Sequence, residues 1–152
     1  MKTFASLEDL RTQVGHNIGT SEWIEVSQAR IQQFADATGD HQWIHLDVER
    51  AKAGPFKGTI AHGFLTLSLL PHMIASAYKV EQIGMGVNYG LNRVRFPSPV
   101  PAGSRVRGQF KLVGFDPIEG GAQLTIEVTM ELDGGSKPVC VAESVTRLYA
   151  AR

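Results

Sequence analysis

Cysteine is nearly absent. Cys140 alone leaves no partner for a disulfide within the chain, which accords with a reducing, cytoplasmic setting. It lies in the strand-like run PVCVAESV, so a buried core thiol is expected there rather than a nucleophile. Net charge is absent too: fifteen basic residues balance fifteen acidic ones, and no run of Lys or Arg exceeds two. Nothing therefore builds the positive field that nucleic acid or an anionic membrane needs. No apolar stretch reaches the roughly twenty residues of a membrane span. The opening MKTFASLEDL carries acidic residues instead of the apolar run of a signal peptide. Repeats, low-complexity tracts and linkers are missing as well. What is left, 152 residues with 43% hydrophobic content, suits one globular domain over residues 1–152 with a sizeable core.

The first half mixes elements. EWIEV, residues 22–26, reads as a short strand, and Ser27 is a helix N-cap whose hydroxyl can accept from a free N–H of the first turn. Ile31, Phe34, Ala35 and Thr38 recur at helical spacing, and Gly39 can close that helix in a left-handed conformation. A second helix is expected over about Ala61 to Lys79. Its many apolar residues leave no continuous polar face, so protein must enclose it. Pro71 has no N–H to give the carbonyl of Leu67, which predicts a kink.

The second half supplies the enclosure. In AQLTIEVTMEL, Leu124, Ile126, Val128, Met130 and Leu132 alternate with polar residues, the period-two signature of a sheet with one buried face. SRVRGQFKLVGF repeats the pattern, and EGG and DGG supply hairpin turns. With GVNYGLNRVRF and PVCVAESVTRLYA, four long strands follow the helix. The class is α+β: a curled antiparallel sheet wrapped around a buried central helix.

One stretch carries most of the chemistry. GDHQWIHLD, residues 39–47, holds two aspartates, two histidines and a tryptophan. It admits three readings. It could be a polar surface loop docked by Trp43 and Ile44. It could be a metal site, since His41 and His45 have zinc-ligand spacing with Asp40 as a third ligand; but Gln42 replaces the glutamate of HExxH, and Gly39 breaks the helix that motif requires. Or it could be an acid–base pair, with Asp40 and His45 pointing at one small molecule. Further on, IAHGF places Gly63 at a helix start, where unpaired N–H groups can hold a substrate oxygen.

The segments GDHQWIH, IAHGF and LNRVRFPSPVPAGSRVRG together resemble the MaoC-like (R)-specific enoyl-CoA hydratases of the hotdog fold, nearest the nodulation protein N-like branch and the small mycobacterial hydratases. Against that family's G-D-x-N-P-x-H, Gly39, Asp40 and His45 match, while Gln42 stands for Asn and Trp43 for Pro. The resemblance implies that Asp40 and His45 activate the water added to a trans-2-enoyl thioester and that the Gly63 N–H receives the carbonyl oxygen. It implies substrate contacts from Gln42, Trp43, Ile60, Ala61, His62, Gly86, Val87 and Asn88. Trp43 would pack on the wall or base of the acyl tunnel. The implied partner is an acyl-CoA thioester, with no metal and no cofactor beyond the CoA of the substrate, acting on a homodimer whose sheets join. A thioesterase and a non-catalytic thioester binder are the rival readings. A helix-start histidine bonded to a carbonyl is an equal reading of His62, and His41 is expected to face solvent. Arg93, Arg95, Arg105 and Arg107 could bind the phosphates of CoA, but alternation puts most of them on the wet side of the sheet, and the phosphate ligand is left open.

Overall fold

Period-two segments become strands and the apolar segment before them becomes helix. The computed structural model describes residues 1–152. In chain order it runs β1 (Lys2–Phe4), α1 (Leu7–Arg11), β2 (Asn17–Thr20), β3 (Ile24–Val26), α2 (Gln28–Thr38), α3 (Trp43–Leu46) and α4 (Val48–Lys52). There follow α5 (Gly63–Ser68), α6 (Leu70–Ala77), β4 (Tyr78–Val80), β5 (Ile83–Arg95), β6 (Ser104–Ile118), β7 (Gly121–Leu132) and β8 (Pro138–Ala150).

The main sheet has the order β2-β6-β7-β8-β5, with β3 also paired to β6, and all these pairs are antiparallel. Val106, Phe110, Leu112, Leu124, Ile126, Val128 and Met130 form its buried face, as their alternation predicts. They close over Met73, Leu70 and Ala77 of α6 and Leu65 of α5. Gly120 and Gly134 take φ near +78° in the two hairpins, where a side chain would be strained. Gly19 serves another purpose: a Cβ there would lie 2.4 Å from the carbonyl oxygen of Ala77, so its bareness lets β2 lie directly on the end of α6. A curled antiparallel sheet around a central helix is the hotdog fold. Cys140 is fully buried, and burial pushes its thiol up to about 11, as suits a core residue.

Two expectations need correction. The helix over Ala61–Lys79 is two helices, α5 and α6, separated at Leu69. Pro71 forces this: its missing N–H costs nothing in the first turn of a new helix but would break the ladder of a continuous one. Beyond Ala77 the chain is extended, and β4 pairs with β1 in a small parallel sheet. Enclosure is also incomplete. Phe64 is 70% exposed and Ser68, Pro71, His72 and Ala75 are open to solvent, because the sheet covers only the opposite side of the helices. At the sheet edge, β5 pairs only with β8 and presents Met85, Val87, Tyr89 and Leu91 exposed. No helix is long and apolar enough to cross a membrane.

Candidate active site

Helix α2 sets the site in place. Ser27 accepts from the N–H of Arg30, and Gly39, at φ +83°, ends the helix in the left-handed conformation. The chain then turns through Asp40 into α3, a single turn that carries His45; only a bent loop was expected here. His45 is 6% exposed, and its Nδ1–H donates to the carbonyl of Ile60 at 2.7 Å. That bond fixes the neutral tautomer, leaving Nε2 with its lone pair. The backbone is tied as well: Gln28 donates to the His45 carbonyl at 2.7 Å and accepts from the Thr59 hydroxyl at 2.6 Å, while Ile60 N–H donates to Ile44. Burial holds the His45 pKa below the ordinary imidazole value; the Ile60 carbonyl and the Asp40 carboxylate oppose that, and His62 adds to it.

Asp40 is exposed, and its carboxylate accepts only the Gln42 N–H, at 3.3 Å. Its carbonyl accepts from His62 Nε2–H at 2.9 Å. The His62 ring stacks on that of His45, centroids 3.8 Å apart and planes 25° apart, with Phe34 tilted against it at 4.9 Å. A carboxylate oxygen of Asp40 and ring nitrogens of His45 and His62 thus lie within 4.8 Å of one another. One water making two ordinary hydrogen bonds at a tetrahedral angle spans about 4.6 Å. A shared metal ion suits the three groups less well. Two rings stacked this closely cannot both aim an in-plane lone pair at one ion roughly 2.0–2.1 Å away.

Gly63 is the first residue of α5, so no helical carbonyl accepts its N–H. A Cβ added to it would stand 3.0 Å from the ring of Phe96. Gly63 and Phe96 border a cavity of about 300 Å³ with Phe56, Ala61, Thr66 and Val100.

The remaining sequence candidates are distributed unevenly. Both Ile60 backbone groups serve the His45 loop. Ala61 N–H donates to the Val100 carbonyl at 2.8 Å, and Ala61 borders the cavity beside Gly63. His62 touches a carbonyl, as the plainer expectation had it. Trp43 packs its ring on Gly54 and under the Arg50 guanidinium, 4.2 Å from the centroid. The cavities beside Gly63 and along β5 are lined without Trp43. Gln42 contributes its backbone N–H to Asp40. Gly86 and Asn88 line clefts between β5 and α6, with Pro71, Ile74 and Leu148, that include neither Asp40 nor Gly63; Val87 is exposed. His41 faces solvent as expected and pairs with Asp36 at 3.0 Å, which raises its pKa. Arg105 and Arg107 are engaged with Asp133 and Glu131 beside Trp23. Sequence reasoning missed Gln28 and Thr59 altogether, and read Phe34 only as part of a helix face and not as a neighbour of the site. Nothing in their spacing marks them, because each reaches the site through tertiary contact.

The chain belongs to the MaoC-like proteins: the family description, MaoC like domain, matches residues 9–134. It is 52% identical over 151 residues to the 3-hydroxyacyl-thioester dehydratase Z of Mycobacterium tuberculosis (strain H37Rv), covering 99% of this chain and 100% of that one. It is 51% identical over 145 residues to nodulation protein N of Rhizobium leguminosarum bv. viciae, 93% of this chain and 89% of that one. Among solved structures, the unliganded (R)-hydratase PhaJ1 of Pseudomonas aeruginosa superposes with a TM-score of 0.71 at 23% identity, covering 91% of this chain and 82% of that one.

Proposed function

We propose that the protein hydrates a trans-2-enoyl-CoA to the (R)-3-hydroxyacyl-CoA and, in reverse, dehydrates it. The carrying observation is an Asp40 carboxylate oxygen within 4.8 Å of a ring nitrogen of the buried His45 imidazole, whose Nδ1 is committed to Ile60. Asp40 accepts a hydrogen bond from one O–H of the water and orients it, that hydrogen staying in the product hydroxyl, while His45 Nε2 takes the other proton as the oxygen bonds to the β carbon. Negative charge moves onto the thioester oxygen, which the Gly63 N–H receives. The proton then passes from the Asp40–His45 pair to the α carbon on the same face, giving syn addition. The name of the mycobacterial relative, a 3-hydroxyacyl-thioester dehydratase, supports this reaction class.

No cofactor is required beyond the CoA carried by the substrate. The pantetheine arm would lie along the Ile60–His62 loop and the Gly86–Asn88 stretch of β5. Two chains pair as a homodimer through the free edge of β5, thirteen residues without proline whose exposed Met85, Tyr89 and Leu91 a partner would cover. Sedimentation is expected to give twice the monomer mass, and sedimentation at the monomer mass would remove the dimer. The reaction is tested by incubating the protein with trans-2-enoyl-CoA of several lengths. Loss of enoyl absorbance without free thiol is expected. Release of thiol would make the protein a thioesterase, and neither signal would reduce it to a thioester binder.

A further inference from the structure

We propose that His62 is a positioning residue that sets Asp40 and His45 relative to each other, holding the backbone of the first and covering the ring of the second. The inference rests on the hydratase reading of those two residues. Three contacts converge on this one side chain. Its Nε2–H holds the Asp40 carbonyl at 2.9 Å, its ring lies on His45 at 3.8 Å, and Phe34 backs it at 4.9 Å. Its own carbonyl is locked into α5 by the N–H of Thr66 at 3.2 Å. The next residue is Gly63, so one short segment aligns all three groups that the proposed reaction uses.

The second ring nitrogen makes the case stronger. His62 is 3% exposed, and Nδ1 is buried with no hydrogen-bond partner. With the ring hydrogen on Nε2, Nδ1 is an acceptor stranded in the interior, which costs stability. Phenylalanine or leucine would fill the same space without that cost, so packing alone does not explain a histidine here. The hydrogen bond to Asp40 does. Without it, Asp40 follows the left-handed Gly39 and keeps only the 3.3 Å contact with Gln42, too little to hold a carboxylate against a water. A displacement of about 1 Å at a reacting group can cost a hundredfold in rate.

Two variants separate the contacts. His62→Phe keeps the stacked ring and removes both the donor and the stranded nitrogen. His62→Gln supplies an amide donor without the ring. For hydration of a trans-2-enoyl-CoA, His62→Phe is expected to melt at or above the wild-type temperature and to keep KM within about threefold. Its kcat falls at least about thirtyfold, and His62→Gln recovers about tenfold of that loss. A His62→Phe kcat within threefold of wild type, or equal losses in both variants with raised KM, would overturn the proposal. If His62→Phe does not fold, nitrogen NMR of the unsubstituted protein decides instead: hydrogen on Nε2 of His62 and on Nδ1 of His45 is expected, and the opposite tautomer of His62 overturns the assignment. A wild-type protein with no hydration activity would remove the hydratase reading and leave the tautomer test standing.

Discussion

Replacing Gly63 by alanine tests the oxyanion assignment with a single methyl group. The residue has an ordinary helical start, so alanine fits its backbone, and its N–H survives the change. The new Cβ meets the Phe96 ring at 3.0 Å from Cδ2 and Cε2 and 3.2 Å from Cγ, a few tenths of an ångström inside normal contact. Phe96 is 40% exposed and can swing outward, so stability should fall only by the low end of the about 1–3 kcal/mol that overpacking costs. Activity should suffer far more. On the proposed oxyanion role the methyl obstructs a carbonyl oxygen approaching the amide, and losing the use of such a donor costs ~2.7–4 kcal/mol in the barrier, a rate loss of about 10²–10³. Steady-state hydration of a trans-2-enoyl-CoA and a thermal melt measure the two effects together. A Gly63→Ala protein that turns over within threefold of wild type would refute the oxyanion role. So would full recovery in Gly63→Ala/Phe96→Ala, since the displaced ring and not the amide would then be the cause.

The pH behaviour follows from His45. Burial lowers its pKa from the ordinary 6.5, so the acid limb of kcat/KM should lie below that value. The unfolded chain takes up this proton near 6.5 and the folded chain only lower, so stability is present above 6.5 and lost as pH falls through the folded pKa. Urea unfolding across that range should show the loss in wild type and less of it in His45→Gln. Gly19→Ala brings a methyl within 2.4 Å of the Ala77 carbonyl, backbone against backbone, and should cost at least the upper end of roughly 1–3 kcal/mol by urea unfolding. Trp43→Ala removes the ring from Gly54 and Arg50. It should destabilise by less than the roughly 3–5 kcal/mol of a fully buried tryptophan and leave the acyl-length profile unchanged, whereas a shifted profile would put the ring in the acyl tunnel.

Local rules made much of this molecule legible. The alternation in β6 and β7, the Ser27 and Gly39 caps and the glycine hairpins each depend on neighbours in sequence, and each is where the spacing puts it. The parallel pairing of β1 with β4 was not legible, because it joins residues 2–4 to residues 78–80 with no local signal. The break at Leu69 was half legible: Pro71 announced a fault, while its being a full restart depended on the packing of α6. Asp40 and His45 could be read as a pair. Their supports could not, since Gln28 meets His45 across 17 residues of sequence and Thr59 meets Gln28 across 31. The exposed side of α5 and α6 reads as core by composition, and only the one-sided sheet shows that it is surface.

The decisive measurement is turnover by Asp40→Asn and His45→Gln beside wild type on one trans-2-enoyl-CoA, with thermal melts and substrate binding measured on the same samples. Asparagine can still accept the Gln42 N–H, so the Asp40 variant should fold and bind normally. Each variant should lose at least about a hundredfold in kcat, within the range that a general acid–base group supplies. Near-normal turnover in either one would contradict a water molecule shared between the carboxylate and the imidazole.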